Sequence, residues 1–238
     1  FAFFKILFSK GKRKYALLKK TGKKSCIICF PYAGGTAESF EKIANDADRD
    51  VIAIDYDGFD EDESVSTISE FCADLIIGYE SIIIAASCIG AAYAAELSFI
   101  LNVRGRETDG IYLFGSLPQK TPNGKNPWRI LGEERINTVL SKLTGRSIPE
   151  NAPVSSFLRD TDRYFKYMNG INRKVNARVY ASYAVHDKFT GGYRRKNKRG
   201  SRIFGAEPLI YEIDGSDHYF FVTEDNIIKR MAEVEENV

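Results

Sequence analysis

Residues 82–95 read IIIAASCIGAAYAA, and this stretch decides the fold. Three isoleucines and two alanines form an apolar run typical of a strand that is buried on both faces. Small residues follow the run, and an alanine-rich sequence that favours a helix comes directly after them. The pattern predicts a strand, a tight turn and a helix, with Cys88 at the turn.

Along the rest of the chain, short apolar runs alternate with longer helical patterns, and this alternation predicts an α/β fold with a largely parallel sheet. The predicted strands cover 15–18, 26–30, 51–55, 82–86, 111–115, 178–184 and 209–213. The predicted helices cover 37–46, 65–79, 89–101, 133–143, 154–169 and 223–236. We expect the first two strands to form a hairpin through Thr21 and Gly22.

Length and composition predict one folded domain. The chain has 238 residues, of which 44% are hydrophobic and 28% charged, so it can bury a sizeable core, and disorder or a coiled coil is excluded. No apolar run reaches the roughly 18 residues of a membrane span. We assign 1–24 to a basic segment that is a linker or an edge strand, and 25–238 to the domain, with a helical insertion at about 118–170.

Basic residues are concentrated in two places. Residues 1–24 contain nine lysines and arginines and no acidic residue, although the net charge of the whole chain is only +2. A second acid-free cluster consists of Lys188, Arg194, Arg195, Lys196, Lys198, Arg199 and Arg202. Each cluster is either a solvated segment or a docking surface for an acidic partner or nucleic acid.

The cysteine content predicts a reducing compartment, and we expect a cytoplasmic protein. Four cysteines in 238 residues are too few for a disulfide framework. Cys26 and Cys29 have the spacing of a redox or zinc pair, but both lie inside a predicted strand. Side chains three positions apart on a strand point to opposite faces, which argues against either use.

The predicted turn at Cys88 has the features of a nucleophile elbow. Small residues two positions before and after the nucleophile prevent a clash there, and Ala86 and Gly90 occupy those positions. The following helix N-terminus would favour a thiolate. The alternative is a small buried cysteine in an inactive turn.

The base and its carboxylate partner are sought at other strand ends, where α/β sheets collect catalytic groups. His218 follows the predicted strand 209–213, and Asp187 follows 178–184. The chain order Cys88, Asp187, His218 is that of an α/β-hydrolase triad. His186 is interpreted as a surface histidine, and Asp214 and Asp217 remain weaker candidates for the acid.

An oxyanion hole requires two backbone amides. The residue after the nucleophile, Ile89, supplies one, and the loop Phe30–Thr36, with Gly34 and Gly35, is the candidate for the other. Glycines let the backbone approach a ligand, although an ordinary strand-to-helix turn is the alternative. No Lys-Ser or Lys-Thr pair follows the glycines, which argues against a phosphate loop.

Several of these motifs together resemble the type II thioesterases of nonribosomal peptide and polyketide synthesis. The resemblance covers about residues 25–235 and rests on FPYAGG at 30–35, ASCIG at 86–90, Asp187 and GSDHYFF at 215–221. Residues 157–164, FLRDTDRY, are similar to the end of the family's lid. The sequence departs from the family at Cys88, where the usual nucleophile is Ser, and at Ser87, where the family has His.

The resemblance implies an α/β-hydrolase fold and hydrolysis of acyl, aminoacyl or peptidyl thioesters on the phosphopantetheine of carrier domains. It assigns the nucleophile to Cys88, the acid to Asp187 and the base to His218. The amides of Ala33 and Ile89 match the oxyanion hole. The expected partner is a carrier domain of a synthetase rather than nucleic acid, docked through Lys188, Arg194, Arg195 and Lys196, and we expect a monomer with no resident cofactor or metal.

The cysteine also suggests a different second step, because acyl transfer to Cys88 conserves a thioester that remains reactive toward amines. Aminolysis or cyclisation is therefore a hypothesis beside hydrolysis. Two other hypotheses remain open at this point. One is a carboxylesterase or dienelactone-type hydrolase with a cysteine nucleophile. The other is a catalytically degenerate protein that only binds carriers.

Overall fold

Seven apolar runs form the strands of a single sheet in the computed structural model of the chain, which describes residues 13–116, 125–144, 147–148, 154–192, 203–215 and 217–233. The strands are β1 (Tyr15–Lys19), β2 (Ser25–Phe30), β3 (Asp50–Ile54), β4 (Ser81–Ser87), β5 (Gly110–Phe114), β6 (Val179–Ala184) and β7 (Leu209–Ile213). All seven predicted strands are confirmed, with bounds that differ by at most one residue at each end.

The strand order is β1-β3-β2-β4-β5-β6-β7, and every neighbouring pair except β1 and β3 is parallel. The parallel strands therefore end at one common edge, called the carboxyl edge below. The predicted hairpin between β1 and β2 is wrong: β1 pairs antiparallel with β3. Both edges of β2 are occupied by parallel neighbours, and Asp50 at the start of β3 accepts the Thr21 N–H at 2.6 Å, which places the β1–β2 connection beside β3.

Six α-helices accompany the sheet within the described residues. They are α1 (Glu41–Asp46), α2 (Val65–Leu75), α3 (Gly90–Val103), α4 (Glu133–Thr144), α5 (Ser155–Gly170) and α6 (Ile227–Ala232). Short 3-10 helices occupy Ala37–Phe40, Tyr56–Gly58, Pro127–Ile130 and Phe220–Val222.

Two helix predictions are corrected in length. The helix expected over 65–79 begins as predicted, where the Ser64 side chain accepts the Thr67 N–H at 3.0 Å, but it ends at Leu75. The helix expected over 223–236 begins only at Ile227, because Asn226 directly before it adopts a left-handed conformation with φ of 49°. The described part of this helix ends at Ala232. Residues 234–236 of that prediction lie outside the described residues.

The core forms two apolar layers, one on each face of the sheet. One layer joins the sheet to α2, α3 and part of α5, and the other joins it to α1 and α6. Cys26 belongs to the first layer and Cys29 to the second, so the prediction that they point to opposite faces is confirmed. Burial raises the pKa of Cys26 to about 12, which keeps this thiol protonated.

The two longer helices between β5 and β6, α4 and α5, lie in the predicted insertion. They share a third, smaller apolar cluster around Ile136, Leu140, Val154 and Leu158. The domain bounds and the function of this insertion stay predictions. Among the described helices, none has both the length and the apolar character that crossing a bilayer requires.

Candidate active site

Cys88 occupies a sharp turn between β4 and α3. Its φ is +51°, in the left-handed region that non-glycine residues rarely adopt. A Cβ on Gly90 would lie 2.5 Å from the Phe30 carbonyl oxygen, so only glycine fits there. Strain of this kind costs about 1–3 kcal/mol and is concentrated at functional sites. The local geometry is that of a nucleophile elbow, with the Cys88 side chain partly exposed.

Contacts from β5 and the residues after it fix the elbow. The Cys88 N–H donates to the Phe114 carbonyl at 3.1 Å, and the Ser116 hydroxyl donates to the Cys88 carbonyl at 2.9 Å. Tyr183 in turn donates its hydroxyl to the Ser116 carbonyl at 2.7 Å. Sequence reasoning missed Ser116, because its partner is 28 residues away and no local motif marks it.

The structure brings His218 and Asp187 into direct contact. His218 Nδ1 lies 2.7 Å from Asp187 Oδ2, and both side chains are buried. The Thr190 hydroxyl donates to the same carboxylate at 2.6 Å and the Phe189 N–H at 2.8 Å. Burial would raise the pKa of Asp187, but the His218 ring and these two donors outweigh burial and lower it.

The second ring nitrogen of His218, Nε2, is available for catalysis. Nε2 is buried and has no hydrogen-bond partner among the described residues. Burial lowers the pKa of His218, but the bond to Asp187 and the neighbouring Cys88 side chain outweigh burial and raise the pKa to about 9. Because Asp187 occupies Nδ1, Nε2 is the nitrogen available to Cys88.

Two further contacts hold the His218 ring. Phe189 stacks on it with 4.5 Å between ring centroids and an interplanar angle of 29°. Gly115, with φ of +55°, lies so close that a Cβ there would be 3.0 Å from His218 Cε1. Neither residue was predicted, although a glycine immediately after a buried strand was a usable signal for Gly115.

The loop after β2 lies beside the elbow because Phe30 of β2 pairs with Ala86 of β4. The Ala33 and Ile89 amides, which the sequence analysis associated with an oxyanion hole, have no hydrogen-bond partner in the described part of the chain. Free amides at a helix N-terminus and an adjoining loop can bind a developing negative charge. This arrangement suits acyl transfer.

The other candidates differ from this cluster in exposure and contacts. His186 and Asp214 are exposed, and Asp217 uses its carboxylate to accept the Tyr219 N–H at 2.9 Å. Lys188 is exposed, while Arg194, Arg195 and Lys196 lie outside the described residues. Within the described ranges no group of three or more His, Cys, Asp or Glu side chains is placed to hold a metal ion.

Three aromatic rings of the insertion and the β6–β7 connection adjoin the site. Phe157 lies next to Gly34, where a Cβ would be 3.6 Å from the Phe157 Cβ. Trp128 contacts the Phe157 ring edge-on at 5.0 Å and stacks against Phe189 at 6.4 Å between centroids. The rings thus form an apolar wall from the β2 loop to His218; we call Trp128, Phe157 and Phe189 the aromatic wall.

The sheet order, the flanking helices and the elbow define an α/β-hydrolase fold. The chain is similar to the solved RedJ thioesterase from the prodiginine pathway of Streptomyces coelicolor, with 18% identity, 91% of each chain covered and a TM-score of 0.66. It is also similar to BorB, a type II thioesterase from the borrelidin biosynthetic cluster, with 15% identity, 95% and 99% coverage and a TM-score of 0.70.

A third similar structure is YbtT, a type II thioesterase from the yersiniabactin pathway, with 15% identity, 93% and 99% coverage and a TM-score of 0.65. No protein-family model and no curated protein matches the sequence. At these identities the comparisons establish the fold, and the chemistry rests on the site.

Proposed function

We propose that this protein is a thioesterase that cleaves acyl, aminoacyl or peptidyl thioesters from the phosphopantetheine of a carrier domain. The observation that carries the proposal is the buried His218–Asp187 pair, whose free Nε2 is available to a strained, partly exposed Cys88. The fold shared with thioesterases of biosynthetic pathways supports the same substrate class.

The first half-reaction transfers the acyl group to the enzyme. The proton of the Cys88 thiol passes to His218 Nε2, in keeping with the raised pKa of this ring. The Cys88 sulfur attacks the thioester carbonyl, and the Ala33 and Ile89 amides stabilise the negative oxygen of the tetrahedral intermediate. The intermediate collapses, the bond to the pantetheine sulfur breaks, and His218 returns the proton to that leaving thiol. Asp187 stabilises the imidazolium in between.

The second half-reaction releases the acyl group. His218 takes a proton from water, the resulting nucleophile attacks the Cys88 thioester, and the Cys88 sulfur leaves and is reprotonated by His218. An amine can replace water in the same step, and the product is then an amide. Because the enzyme-bound thioester is as activated as the substrate, we propose aminolysis or cyclisation as an activity beside hydrolysis.

The decisive experiment compares an acyl-pantetheine thioester with the matching oxygen ester, using the wild type and Cys88→Ala. We expect turnover of the thioester at least about 10³-fold above the variant, and a clear preference over the ester. A preference for the ester would indicate a carboxylesterase. No turnover of either by a folded wild-type protein would indicate a binding protein without catalysis.

Aminolysis is tested by adding a primary amine at rising concentration and measuring acid and amide products. The wild type should give a rising amide fraction, and Cys88→Ser should give a lower fraction, because an oxygen ester is less reactive toward amines. Formation of free acid alone at every amine concentration would contradict the proposal.

The aromatic wall supports an apolar acyl group, because aromatic rings bury large apolar areas. Trp128→Ala should raise KM for a long or aromatic acyl thioester and leave KM for the acetyl thioester unchanged. Ile130→Ala is the matched control, since Ile130 belongs to the same short helix and is 82% exposed. Equal changes for both substrates would contradict this role.

Carrier docking through the basic cluster is tested by reversing charges. Substituting Lys188, Arg194, Arg195 and Lys196 by Glu should raise KM for the carrier-bound substrate and not for a small thioester. The control reverses the exposed Lys23 and Lys24 near the start of β2, at the other end of the sheet. If both substrates respond equally, the cluster does not bind the carrier.

A further inference from the structure

Asp160, in the middle of α5, is a buried charged residue that the mechanism above does not use. Only 1% of its side chain is exposed. Oδ2 accepts the Gly34 N–H at 3.0 Å across 126 residues of sequence, and Oδ1 accepts Arg159 Nε at 3.0 Å and Nη2 at 2.8 Å. Asp160 thus links the helical insertion to the loop that carries Ala33.

The Gly34 N–H is well placed to control that loop. The Gly35 N–H donates to the Tyr32 carbonyl at 2.9 Å, which closes a four-residue turn, and Gly34 has φ of +71° at its third position. Turns with a positive φ at that position require glycine or asparagine. Because Gly34 directly follows Ala33, fixing the peptide between them also limits rotation of the Ala33 backbone.

The Asp160 carboxylate is itself held in place from a second loop. Arg159 extends to Asp57, with Nη2 2.7 Å from Oδ1, and Ser156 donates to the same oxygen at 3.0 Å. Arg163, one turn further along α5, lies 3.6 Å from Asp160 and donates to the Asp60 carbonyl. Burial raises the pKa of the Asp160 carboxyl, and the two neighbouring arginines oppose that shift.

We infer that Asp160 is a positioning residue that acts through Gly34 to keep the Ala33 N–H directed at the reacting carbonyl oxygen. This inference rests on the proposed thioesterase function. It makes the integrity of the oxyanion hole depend on where α5 lies: a movement of α5 away from the β2 loop would release Gly34. Binding of the acyl group against the insertion and stabilisation of the intermediate are then coupled.

The test compares Asp160→Ala with Asp160→Asn, which keeps an acceptor oxygen for Gly34, and with Met168→Ala, a control that weakens a buried contact of α5 away from the loop. Losing one oxyanion donor costs about 10²–10³-fold in kcat. We expect Asp160→Ala to lower kcat about 10- to 100-fold with KM within about threefold, and Asp160→Asn to recover part of the loss.

A second readout separates positioning from mere stability. An acyl aldehyde adds to the Cys88 thiol and places its oxygen in the oxyanion position, whereas a thioether analogue of the substrate binds without reacting. Asp160→Ala should weaken aldehyde inhibition about tenfold or more and leave thioether affinity unchanged.

Two outcomes would contradict the inference. If kcat stays within twofold of the wild type, or if Asp160→Ala and Met168→Ala lose activity in parallel with stability, Asp160 has no positioning role. If Asp160→Ala is unfolded, the same criteria are applied to Asp160→Asn, for which we expect a smaller kcat loss at unchanged KM. Absence of thioester turnover in the wild type would instead overturn the proposed function itself.

Discussion

The buried carboxylates at the two ends of the sheet, Asp50 and Asp187, have different hydrogen-bonding surroundings. At the start of β3, Asp50 accepts hydrogen bonds from the Thr21 N–H, the Thr21 hydroxyl, Lys20 and Tyr79, at 2.6 to 2.8 Å. At the carboxyl edge, Asp187 is also well bonded, but its histidine partner keeps a buried nitrogen without a hydrogen bond, and Cys88 is strained. The Asp50 carboxylate is surrounded by hydrogen-bond donors, whereas His218 Nε2 at the carboxyl edge remains available to a reacting group.

The difference separates a structural charge from a catalytic one. Asp50 has its pKa lowered although burial would raise it, because four donors surround the charge, and the group has no capacity left for another partner. Asp187 also has a lowered pKa, but it acts through His218, whose Nε2 has no hydrogen-bond partner among the described residues. We therefore expect Asp50 to determine stability and Asp187 to determine activity.

The largest expected effect is on activity, for Asp187→Asn. The substitution keeps the shape of the side chain but removes the charge that stabilises the imidazolium and selects the tautomer of His218. We expect kcat for thioester hydrolysis to fall about 10³–10⁴-fold with little change in KM. Steady-state kinetics on a purified, folded variant measure it, and a loss below tenfold would remove Asp187 from the mechanism.

The matched substitution at the other end of the sheet, Asp50→Asn, should act on stability alone. Hydrogen bonds to a charged group contribute about 1.5–3 kcal/mol, and the amide would place its own donor against existing donors. We expect the free energy of unfolding in urea to fall by about 2–3 kcal/mol and kcat/KM of the folded protein to stay within twofold. A large activity loss in the folded variant would contradict a purely structural role of Asp50.

A smaller effect is expected at Gly115. In Gly115→Ala the added Cβ would lie 3.0 Å from the His218 ring, on a backbone with φ of +55°. The ring has to shift, and we expect kcat to fall about 10- to 100-fold. Gly105→Ala is the control, because Gly105 also has a positive φ of 71° but nothing lies within 4 Å of its Cβ position. If the two variants lose activity equally, backbone strain alone explains the loss.

The most gradual effect is the pH dependence of stability. The folded protein raises the pKa of His218 to about 9 from an ordinary value of 6.5, so the protonated ring is favoured in the folded state. This contribution is fully present below pH 6.5 and is lost as the pH rises through 9. The unfolding free energy of the wild type relative to His218→Gln should therefore be greatest near pH 6 and shrink toward pH 10. A difference that grows with pH would contradict the geometry.

Local patterns were sufficient to predict the strands and the elbow. Each apolar run is long enough to predict a strand without information from the rest of the chain. Gly90 marks the elbow because a Cβ there would lie 2.5 Å from the Phe30 carbonyl oxygen. The His218–Asp187 contact followed from the rule that catalytic groups collect where parallel strands end.

The parts that sequence reasoning missed depend on contacts between distant residues. The hairpin prediction failed because β1 pairs with β3, and Asp50 of β3 also binds Thr21 of the β1–β2 connection, 29 residues away. Ser116 and Asp160 contact the site through hydrogen bonds whose partners lie 28 and 126 residues away, so no local spacing reveals them. The helix after β7 was overestimated because the left-handed conformation of Asn226 interrupts it.

The most direct test of the account is the intact mass of the protein during incubation with an acyl-pantetheine thioester, beside Cys88→Ala and the buried-thiol control Cys29→Ala. We predict an adduct of one acyl group on the wild type and on Cys29→Ala, its absence on Cys88→Ala, and its decay as free acid or amide appears. Turnover by Cys88→Ala, or an adduct that persists in that variant, would contradict a mechanism based on Cys88.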